Sequence, residues 1–255
     1  MKQRVLSGIL MMPLLILVYL GGKPLMAGCF LVGVLAVREF FSGFRATGIN
    51  PSNIIAYVSA VGLYAVYILN ADDRLYILWF FCTGMACLIY QLNIADRKIT
   101  DGAATFTGIF YGIFLSFHVV LTDGVMVWLI FISAFGTDIA AYFTGFAIGK
   151  HKLCPNISPK KTIEGAVGGV AGSVALCGLF GYFLLNDIFI HCLVIGAACG
   201  VISQFGDLTA SVFKRNMGIK DFGNLIPGHG GVLDRFDSVL FTAPAVYYYI
   251  MLVLN

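Results

Sequence analysis

The sequence predicts an all-α polytopic membrane protein with about nine transmembrane helices and an active site at the cytoplasmic side of the C-terminal helices. Hydrophobic residues make up 59% of the 255 residues and charged residues only 11%. A soluble domain of this size would carry far more charge. Apolar windows long enough to cross a bilayer recur along the whole chain. Two stretches of the C-terminal half, in contrast, hold charged residues at high density.

Nine apolar windows define the predicted spans, of which the first and the last are short. Five of them form the N-terminal part, residues 1–122, and four form the candidate catalytic region, residues 123–255, with its two polar loops. The windows fall at about 5–20, 24–44, 54–70, 75–93, 103–121, 125–147, 165–185, 188–212 and 236–254.

The distribution of basic residues predicts the orientation of the chain. If the N-terminus is cytoplasmic, every Lys and Arg except Lys23 and Arg74 lies on the cytoplasmic side. Cytoplasmic loops of membrane proteins carry such an excess of Lys and Arg. We therefore expect both polar loops, 150–164 and 213–235, to face the cytoplasm, where nucleotides are found.

The stretch 211–237 holds four basic residues, three carboxylates and one histidine. Basic side chains at this density, next to glycines that open the backbone amides to close approach, suit a polyanion. The carboxylates would repel a polyanion unless a divalent cation lies between them. The stretch therefore predicts a metal-assisted phosphate site. A histidine flanked by glycines, His229, is a candidate to donate to phosphate or to transfer a proton.

Four aspartates are the candidate functional carboxylates. Asp138 lies inside the sixth span, and a charge there is costly and by default functional. Asp207 lies at the inner end of the eighth span, where a continuous helix would place Ser211 and Lys214 on its face. Asp234 and Asp237 precede the ninth span and would share a helix face. The alternatives are a polar residue bonded to a neighbouring helix for Asp138 and an ordinary interfacial helix end for Asp207.

The loop 150–164 is a second candidate anion site. Lysines lie at both of its ends, and Ser158-Pro159 resembles a helix N-cap followed by proline at the first helical position. Exposed amides at that helix start, together with Lys160 and Lys161, would form an anion cradle. The alternative is that the lysines only enforce topology and touch anionic lipid headgroups.

Pairs of small residues four apart recur in spans six to eight. They are Gly145/Gly149, Gly165/Gly169, Gly168/Gly172 and Gly196/Gly200. Such spacing lets helix backbones approach closely. We expect these three spans to pack as a tight group beneath the two polar loops.

A resemblance to a known family rests on several motifs of the C-terminal half. The run S-x-x-K-R-x4-K-D-x-G-x2-I-P-x-H-G-G-x-x-D-R-x-D, from Ser211 to Asp237, resembles the signature of phosphatidate cytidylyltransferases, or CDP-diacylglycerol synthases. Upstream, D-x-x-A-Y-x-x-G at 138–145, G-K at 149–150, S-P-K-K-T-x-E-G at 158–165 and S-Q-x-G-D at 203–207 resemble the other motifs of that family. The resemblance covers about residues 133–240.

The resemblance implies transfer of the cytidylyl group of CTP to phosphatidic acid, giving CDP-diacylglycerol and pyrophosphate, with Mg²⁺ required and a second cation left open. It implies metal ligands at Asp207 and Asp234, with Asp237 or Asp138 as secondary ligands. The implied catalytic residues are Asp207, Ser211, Lys214, Arg215, Lys220, Asp221, His229, Asp234 and Arg235. The implied substrate-binding residues are Asp138, Tyr142, Lys150, Ser158, Lys160, Lys161, Gly230 and Gly231.

The expected partners are CTP, phosphatidic acid and the lipid bilayer, with no nucleic acid. The expected location is a bacterial-type inner (plasma) membrane, and whether the chain forms a homodimer stays open. Two alternative functions remain at this stage. A membrane transporter would use Asp138 to line an ion path. A CTP-dependent polyisoprenol-type lipid kinase would share the nucleotide and the membrane but release CDP instead of pyrophosphate.

Overall fold

The computed structural model describes residues 15–70, 72–92, 97–122, 124–225 and 230–254. Most of these residues are helical, and we number the main helices α1 to α8 along the chain. Their bounds are α1 Gly22–Ala46, α2 Asn53–Ile68, α3 Asp73–Tyr90, α4 Ile99–Leu121, α5 Val127–Ile148, α6 Ile163–Leu184, α7 Phe189–Asn216 and α8 Leu233–Tyr249.

Short irregular turns complete these helices. The 3₁₀ turns Gly124–Met126 and Asn186–Ile188 lead into α5 and α7. A π-helical turn, Ile109–Phe114, lies inside α4, and a second one, Ile250–Leu254, extends α8. These wider turns leave the helices continuous, so α4 and α8 each keep the length of a membrane span.

Within the described ranges, seven helices are long and apolar enough to cross a membrane, and all but α2 belong to this set. Helix α2 has 16 residues, which is shorter than the roughly 20 residues that a span usually needs. The predicted spans from 24–44 to 236–254 each coincide with one of the eight helices to within a few residues. The predicted first span, 5–20, lies largely outside the described residues, so the total of nine stays a prediction.

Large apolar side chains are exposed along these helices. Phe146 in α5 is 83% exposed and Ile54 in α2 is 76% exposed. A water-soluble protein rarely exposes so many large apolar side chains. Together with the long apolar helices, this exposure is that of an integral membrane protein whose outer surface faces lipid tails.

The described chain forms two compact units. The first unit contains mainly Gly22–Phe117 and the later segment Met217–Asp234. The second unit contains mainly His118–Asn216 and the chain from Arg235 to its C-terminal end. Helix α8 therefore begins in the first unit and runs on in the second.

In the first unit, α1 packs against the π-helical turn of α4. The buried face of α1 carries Val37, Phe40 and Phe41. Gly112 allows the close approach, because a Cβ atom there would lie 3.1 Å from the backbone nitrogen of Val37. Asp101, which is 2% exposed, accepts backbone N–H groups of Asn50 and Lys98 at 2.7 and 2.9 Å, so it joins the chain before α2 to the start of α4.

In the second unit, α5, α6 and α7 pack closely through small residues, as the glycine spacing predicts. A Cβ atom at Gly165 in α6 would lie 2.9 Å from the carbonyl oxygen of Ala141 in α5. A Cβ atom at Gly196 in α7 would lie 2.9 Å from the carbonyl oxygen of Ser173 in α6. Larger side chains would push these backbones apart, so the prediction of a tight three-helix group is confirmed.

The loop between α5 and α6 folds as a β-hairpin, so the prediction of a helix start at Ser158-Pro159 is wrong. Strand β1, Lys152–Cys154, pairs antiparallel with β2, Ser158–Thr162. A two-stranded hairpin has only edge strands, where a proline is tolerated. The N-cap of α6 is Thr162, whose hydroxyl accepts the N–H of Gly165 at 3.1 Å. The hairpin is the one sheet in the described part of this otherwise helical protein.

Candidate functional site

The last turns of α7 carry the first part of the candidate site. The helix continues without a break to Asn216, so Asp207, Ser211 and Lys214 share one face. The hydroxyl of Ser211 donates to Oδ1 of Asp207 over a long 3.5 Å contact. The predicted stripe of a carboxylate, a hydroxyl and an ammonium group is therefore present at this helix end.

The β-hairpin contributes a lysine to this stripe. Nζ of Lys161 lies 2.5 Å from Oδ2 of Asp207, and the two side chains are 26% and 30% exposed. Lys160 precedes it in the same strand, is exposed, and lies on the opposite strand face because side chains alternate. The structure thus separates two lysines that the sequence treats as equivalent.

Two more carboxylates of the second unit lie near Asp207. Asp138 in α5 and Asp237 in α8 are both close enough to Asp207 for electrostatic repulsion. Asp138 is exposed, whereas Asp237 is only 8% exposed. Gly206 brings α7 against α8 here, since a Cβ atom at this position would lie 2.5 Å from the carbonyl oxygen of Asp237.

A serine, Ser238, forms hydrogen bonds with both Asp138 and Asp237. Ser238 donates its hydroxyl to Oδ2 of Asp138 at 3.2 Å, and its backbone N–H donates to Oδ1 of Asp237 at 2.8 Å. One residue of α8 therefore fixes a carboxylate of α5 and a carboxylate of its own helix. Reasoning from the sequence missed Ser238, because a single serine inside an apolar span gives no signal of its own.

Basic side chains compensate this acidic group. Lys161 and Arg235 attract Asp138, and Lys214 attracts Asp237. Nε of Arg235 is buried and has no hydrogen-bond acceptor among the described residues. A buried donor without an acceptor costs free energy, so this guanidinium group is suited to an anionic ligand. We call Asp138, Asp207, Asp237, Lys161, Lys214 and Arg235 the charged cluster.

A further carboxylate, Glu164, fixes the chain where α5 ends and the hairpin begins. It accepts the backbone N–H groups of Lys150, at 3.0 Å, and of His151, at 3.2 Å. Its Oε1 also lies 2.6 Å from Nδ1 of His151. Lys150, predicted to bind substrate, is thereby held at the base of the hairpin. The sequence signal for Glu164 was its place in the S-P-K-K-T-x-E-G motif.

Arg215 at the end of α7 also contacts the hairpin. Its Nε donates to the carbonyl oxygen of Ile157 at 3.3 Å. Ser158, predicted to bind substrate, follows directly in β2 and is partly buried. Tyr142 in α5 is 68% exposed, and its ring stacks near that of Phe146. None of these contacts joins Arg215, Ser158 or Tyr142 to the charged cluster.

In the first unit, Asp234 organises the segment that precedes α8. Its Oδ2 accepts the backbone N–H groups of Phe222 at 2.8 Å and of Gly231 at 3.0 Å, and the residue is 8% exposed. Gly230 has φ +84°, a conformation that glycine adopts without strain. Lys220 and Asp221 are exposed in the same segment. His229 lies outside the described residues, so its predicted role has no structural account.

Glu39 in α1 is the clearest residue of the first unit that reasoning from the sequence missed. Its carboxylate accepts the backbone N–H groups of Val232 at 3.0 Å and of Leu233 at 2.9 Å, which lie at the start of α8. A usable signal was present, because Glu39 is a charged residue inside an apolar span. The same signal singled out Asp138.

A preformed metal centre is not part of this geometry. No group of three His, Cys, Asp or Glu side chains in the described ranges is arranged to hold a metal ion. The donors that the charged cluster does offer are carboxylate oxygens, which suit Mg²⁺. Mg²⁺ is often held by only one or two carboxylates together with phosphate oxygens of a substrate. The cluster fits that second arrangement.

Long apolar helices that bring carboxylates and cations together in one cluster define an integral membrane protein with a site suited to a polyanion. A family model described as "Cytidylyltransferase family" matches residues 2–253. The chain therefore belongs to the cytidylyltransferase family, and the resemblance of its motifs is confirmed.

Three relatives illustrate this membership, and each is called phosphatidate cytidylyltransferase. The protein of Synechocystis sp. is 36% identical, over 99% of this chain and 97% of its own length. The protein of Bacillus subtilis is 33% identical, over 99% and 98%. The protein of Pseudomonas aeruginosa is 32% identical, over 96% and 94%. The similarity thus extends over the N-terminal helices, well beyond the motifs.

The sequence assigns the N-cap of α6 to Ser158 and the structure assigns it to Thr162. The two assignments predict different losses of stability. Thr162→Val removes the hydroxyl that accepts the Gly165 N–H, so it should lower the free energy of unfolding by about 1 kcal/mol. Ser158→Ala, in the strand, should cost less than about 0.5 kcal/mol. Thermal unfolding of both variants in detergent measures the difference. A larger loss for Ser158→Ala would restore the helix start at Ser158-Pro159.

Proposed function

We propose that this protein transfers the cytidylyl group of CTP to phosphatidic acid, giving CDP-diacylglycerol and pyrophosphate. The relatives that match almost the whole chain carry the name of this activity. The observation that carries the proposal is the charged cluster, in which Lys161, Lys214 and Arg235 interleave with three carboxylates. Such a cluster suits a reaction between two phosphate-bearing substrates.

The reaction mainly requires the protein to position the two substrates and to offset their charge. An oxygen of the lipid phosphate attacks the α-phosphorus of CTP, the bond between the α-phosphorus and its bridging oxygen breaks, and pyrophosphate leaves. The lipid phosphate is already ionised near neutral pH, so no strong general base is needed. The protein holds two polyanions together and offsets their charge.

The basic residues of the cluster have distinct proposed tasks. Arg235 would donate its buried Nε–H to a phosphate oxygen, which supplies the acceptor it lacks. Lys161 and Lys214 would bind the other phosphates from the hairpin and from the end of α7. Lys160, Lys220 and Arg215 stay predicted phosphate ligands. Ser211, Asp221, Tyr142 and the two glycines at 230 and 231 keep the roles that the resemblance implies.

Mg²⁺ is the proposed cofactor, and a second cation stays open. Asp207 and Asp237 would hold the ion, with Asp138 as a secondary ligand, because their carboxylate oxygens are the donors that Mg²⁺ prefers. When bound, the ion would offset the charge that develops on the phosphate oxygens. The role of Asp234 as a further ligand stays a prediction, since two backbone N–H groups already occupy one of its oxygens.

The proposed site lies at the cytoplasmic face of a bacterial-type inner membrane, with the N-terminus on the same side. The distribution of Lys and Arg supports this orientation. The charged cluster gathers residues from the C-terminal part of α7, the hairpin, the N-terminal part of α8 and the middle of α5. A lipid phosphate would reach it while the acyl chains stay in the bilayer. A homodimer is not required and stays a prediction.

Pyrophosphate release tests the proposed function. Purified protein supplied with CTP, phosphatidic acid and Mg²⁺ should release pyrophosphate, and Asp207→Asn and Asp237→Asn should each lower the rate about 100-fold or more. Asp187→Asn, in the turn before α7, is the matched control and should keep the wild-type rate because Asp187 is exposed at the other end of that helix. Release of CDP instead of pyrophosphate would favour a lipid kinase. Equal rates for all three variants would remove the charged cluster from the reaction.

Sealed membrane vesicles test the orientation. CTP does not cross a bilayer, so inside-out vesicles should make CDP-diacylglycerol from added CTP without permeabilisation. Right-side-out vesicles should do so only after they are opened. The opposite pattern would place the site on the outer face and contradict the orientation deduced from the basic residues.

A further inference from the structure

Glu39 accepts two hydrogen bonds from a segment almost two hundred residues further along the chain. Its Oε1 and Oε2 each take one backbone N–H, from Val232 and Leu233. Leu233 is the first residue of α8 and Val232 directly precedes it, and N–H groups at a helix start have no partner within the helix. The carboxylate therefore caps α8 from another helix, and the positive end of the helix dipole strengthens the contact.

The surroundings of Glu39 leave room for its carboxylate and for little else. A Cβ atom at Gly231 would overlap the carboxylate, and a Cβ atom at Gly223 would lie 2.6 Å from Oε1. Both glycines belong to the same segment as Val232 and Leu233. The segment is therefore shaped around the Glu39 side chain.

A second carboxylate completes this arrangement. Asp234 accepts the N–H of Gly231, while Glu39 accepts the next two N–H groups along the chain. Three consecutive N–H groups thus each have a carboxylate acceptor. The helix that follows carries Asp234, Arg235 and Asp237, so the position of its first turn determines the positions of these three residues.

We infer that Glu39 is a positioning residue for the reaction: it fixes the first turn of α8 and, through it, the acidic and basic side chains at the start of that helix. The catalytic part of this inference rests on the proposed function. Because Glu39 fills the helix N-terminus, that end is not open to a substrate phosphate. The charged cluster offers Lys161, Lys214 and Arg235 to the phosphates instead.

Glu39→Gln is the direct test. The amide keeps the size of the side chain but turns one acceptor into a donor that faces a backbone N–H. Amide hydrogen exchange of the peptide that contains Val232 and Leu233 should become faster. The kcat of the folded enzyme for pyrophosphate release should fall about 10- to 100-fold, because small misplacements of reacting groups are costly. The KM for CTP should change less than about threefold.

Asp101→Asn is the matched control. Asp101 is also a carboxylate of the first unit, and it accepts the backbone N–H groups of Asn50 and Lys98. Its loss should lower the unfolding temperature as Glu39→Gln does. It should leave both the exchange at the start of α8 and kcat unchanged. If the two variants unfold at the same temperature and only Glu39→Gln loses kcat, the loss reflects positioning and not general stability.

Gly223→Ala is a second variant, which keeps the Glu39 carboxylate but displaces it, because a Cβ atom there would lie 2.6 Å from Oε1. It should reproduce the loss of kcat, and combining it with Glu39→Gln should add little further loss, because both changes disrupt one contact. If Glu39→Gln does not fold, Gly223→Ala alone carries the test through the same exchange and kcat measurements.

Three outcomes would overturn the inference. Unchanged exchange in Glu39→Gln would show that the cap does not hold the segment. Faster exchange with unchanged kcat would reduce Glu39 to a structural role. A lower KM for CTP would mean that Glu39 competes with a substrate phosphate. A different result would separate this inference from the proposed function. If the wild-type protein released no pyrophosphate while Glu39→Gln still showed faster exchange, the proposed function and the catalytic role of Glu39 would be rejected. The cap on α8 would stand.

Discussion

The contact between Lys161 and Asp207 is the interaction on which the second unit's site depends. It joins the hairpin to the end of α7 and offsets charge where Asp207 also meets Asp138 and Asp237. Removing one partner of such a pair leaves a poorly solvated charge, which is more costly than removing both. Cations among the three carboxylates, from the chain itself or from bound ligands, offset the repulsion between them. The charged cluster is therefore both a structural constraint and the basis of the proposed chemistry.

A second recurring device is a carboxylate that accepts backbone N–H groups where a helix meets a loop. Glu39 and Asp234 do so before α8, Asp101 before α4, and Glu164 after α5. Non-helical backbone near a membrane must find such partners, because lipid offers none. Among the described acidic residues, three thus gather in the charged cluster, and these four hold the backbone where a helix meets a loop.

The helices were predictable because a membrane span depends on length and apolarity, which are read directly from the sequence. The signature from Ser211 to Asp237 and the motifs before it were likewise enough for the family. The hairpin was not, because Ser158-Pro159 fits a helix start as well as an edge strand and only the Thr162 cap decides. Lys160 and Lys161 look alike until strand alternation separates them. Glu39 could have been singled out as a charge inside an apolar span, but its contacts could not, because Val232 and Leu233 are 193 and 194 residues away and no local pattern encodes such a contact.

Binding of Mn²⁺, used in place of Mg²⁺, tests most directly whether the charged cluster is a metal-assisted site for a polyanion. The electron paramagnetic resonance signal of free Mn²⁺ is followed at a fixed CTP concentration as protein is added. Wild-type protein and Asp187→Asn should remove Mn²⁺ beyond what CTP alone binds, and Asp207→Asn and Asp237→Asn should lose this uptake. Equal uptake by all four proteins would contradict the account, because the ion would then be bound without the carboxylates of the cluster.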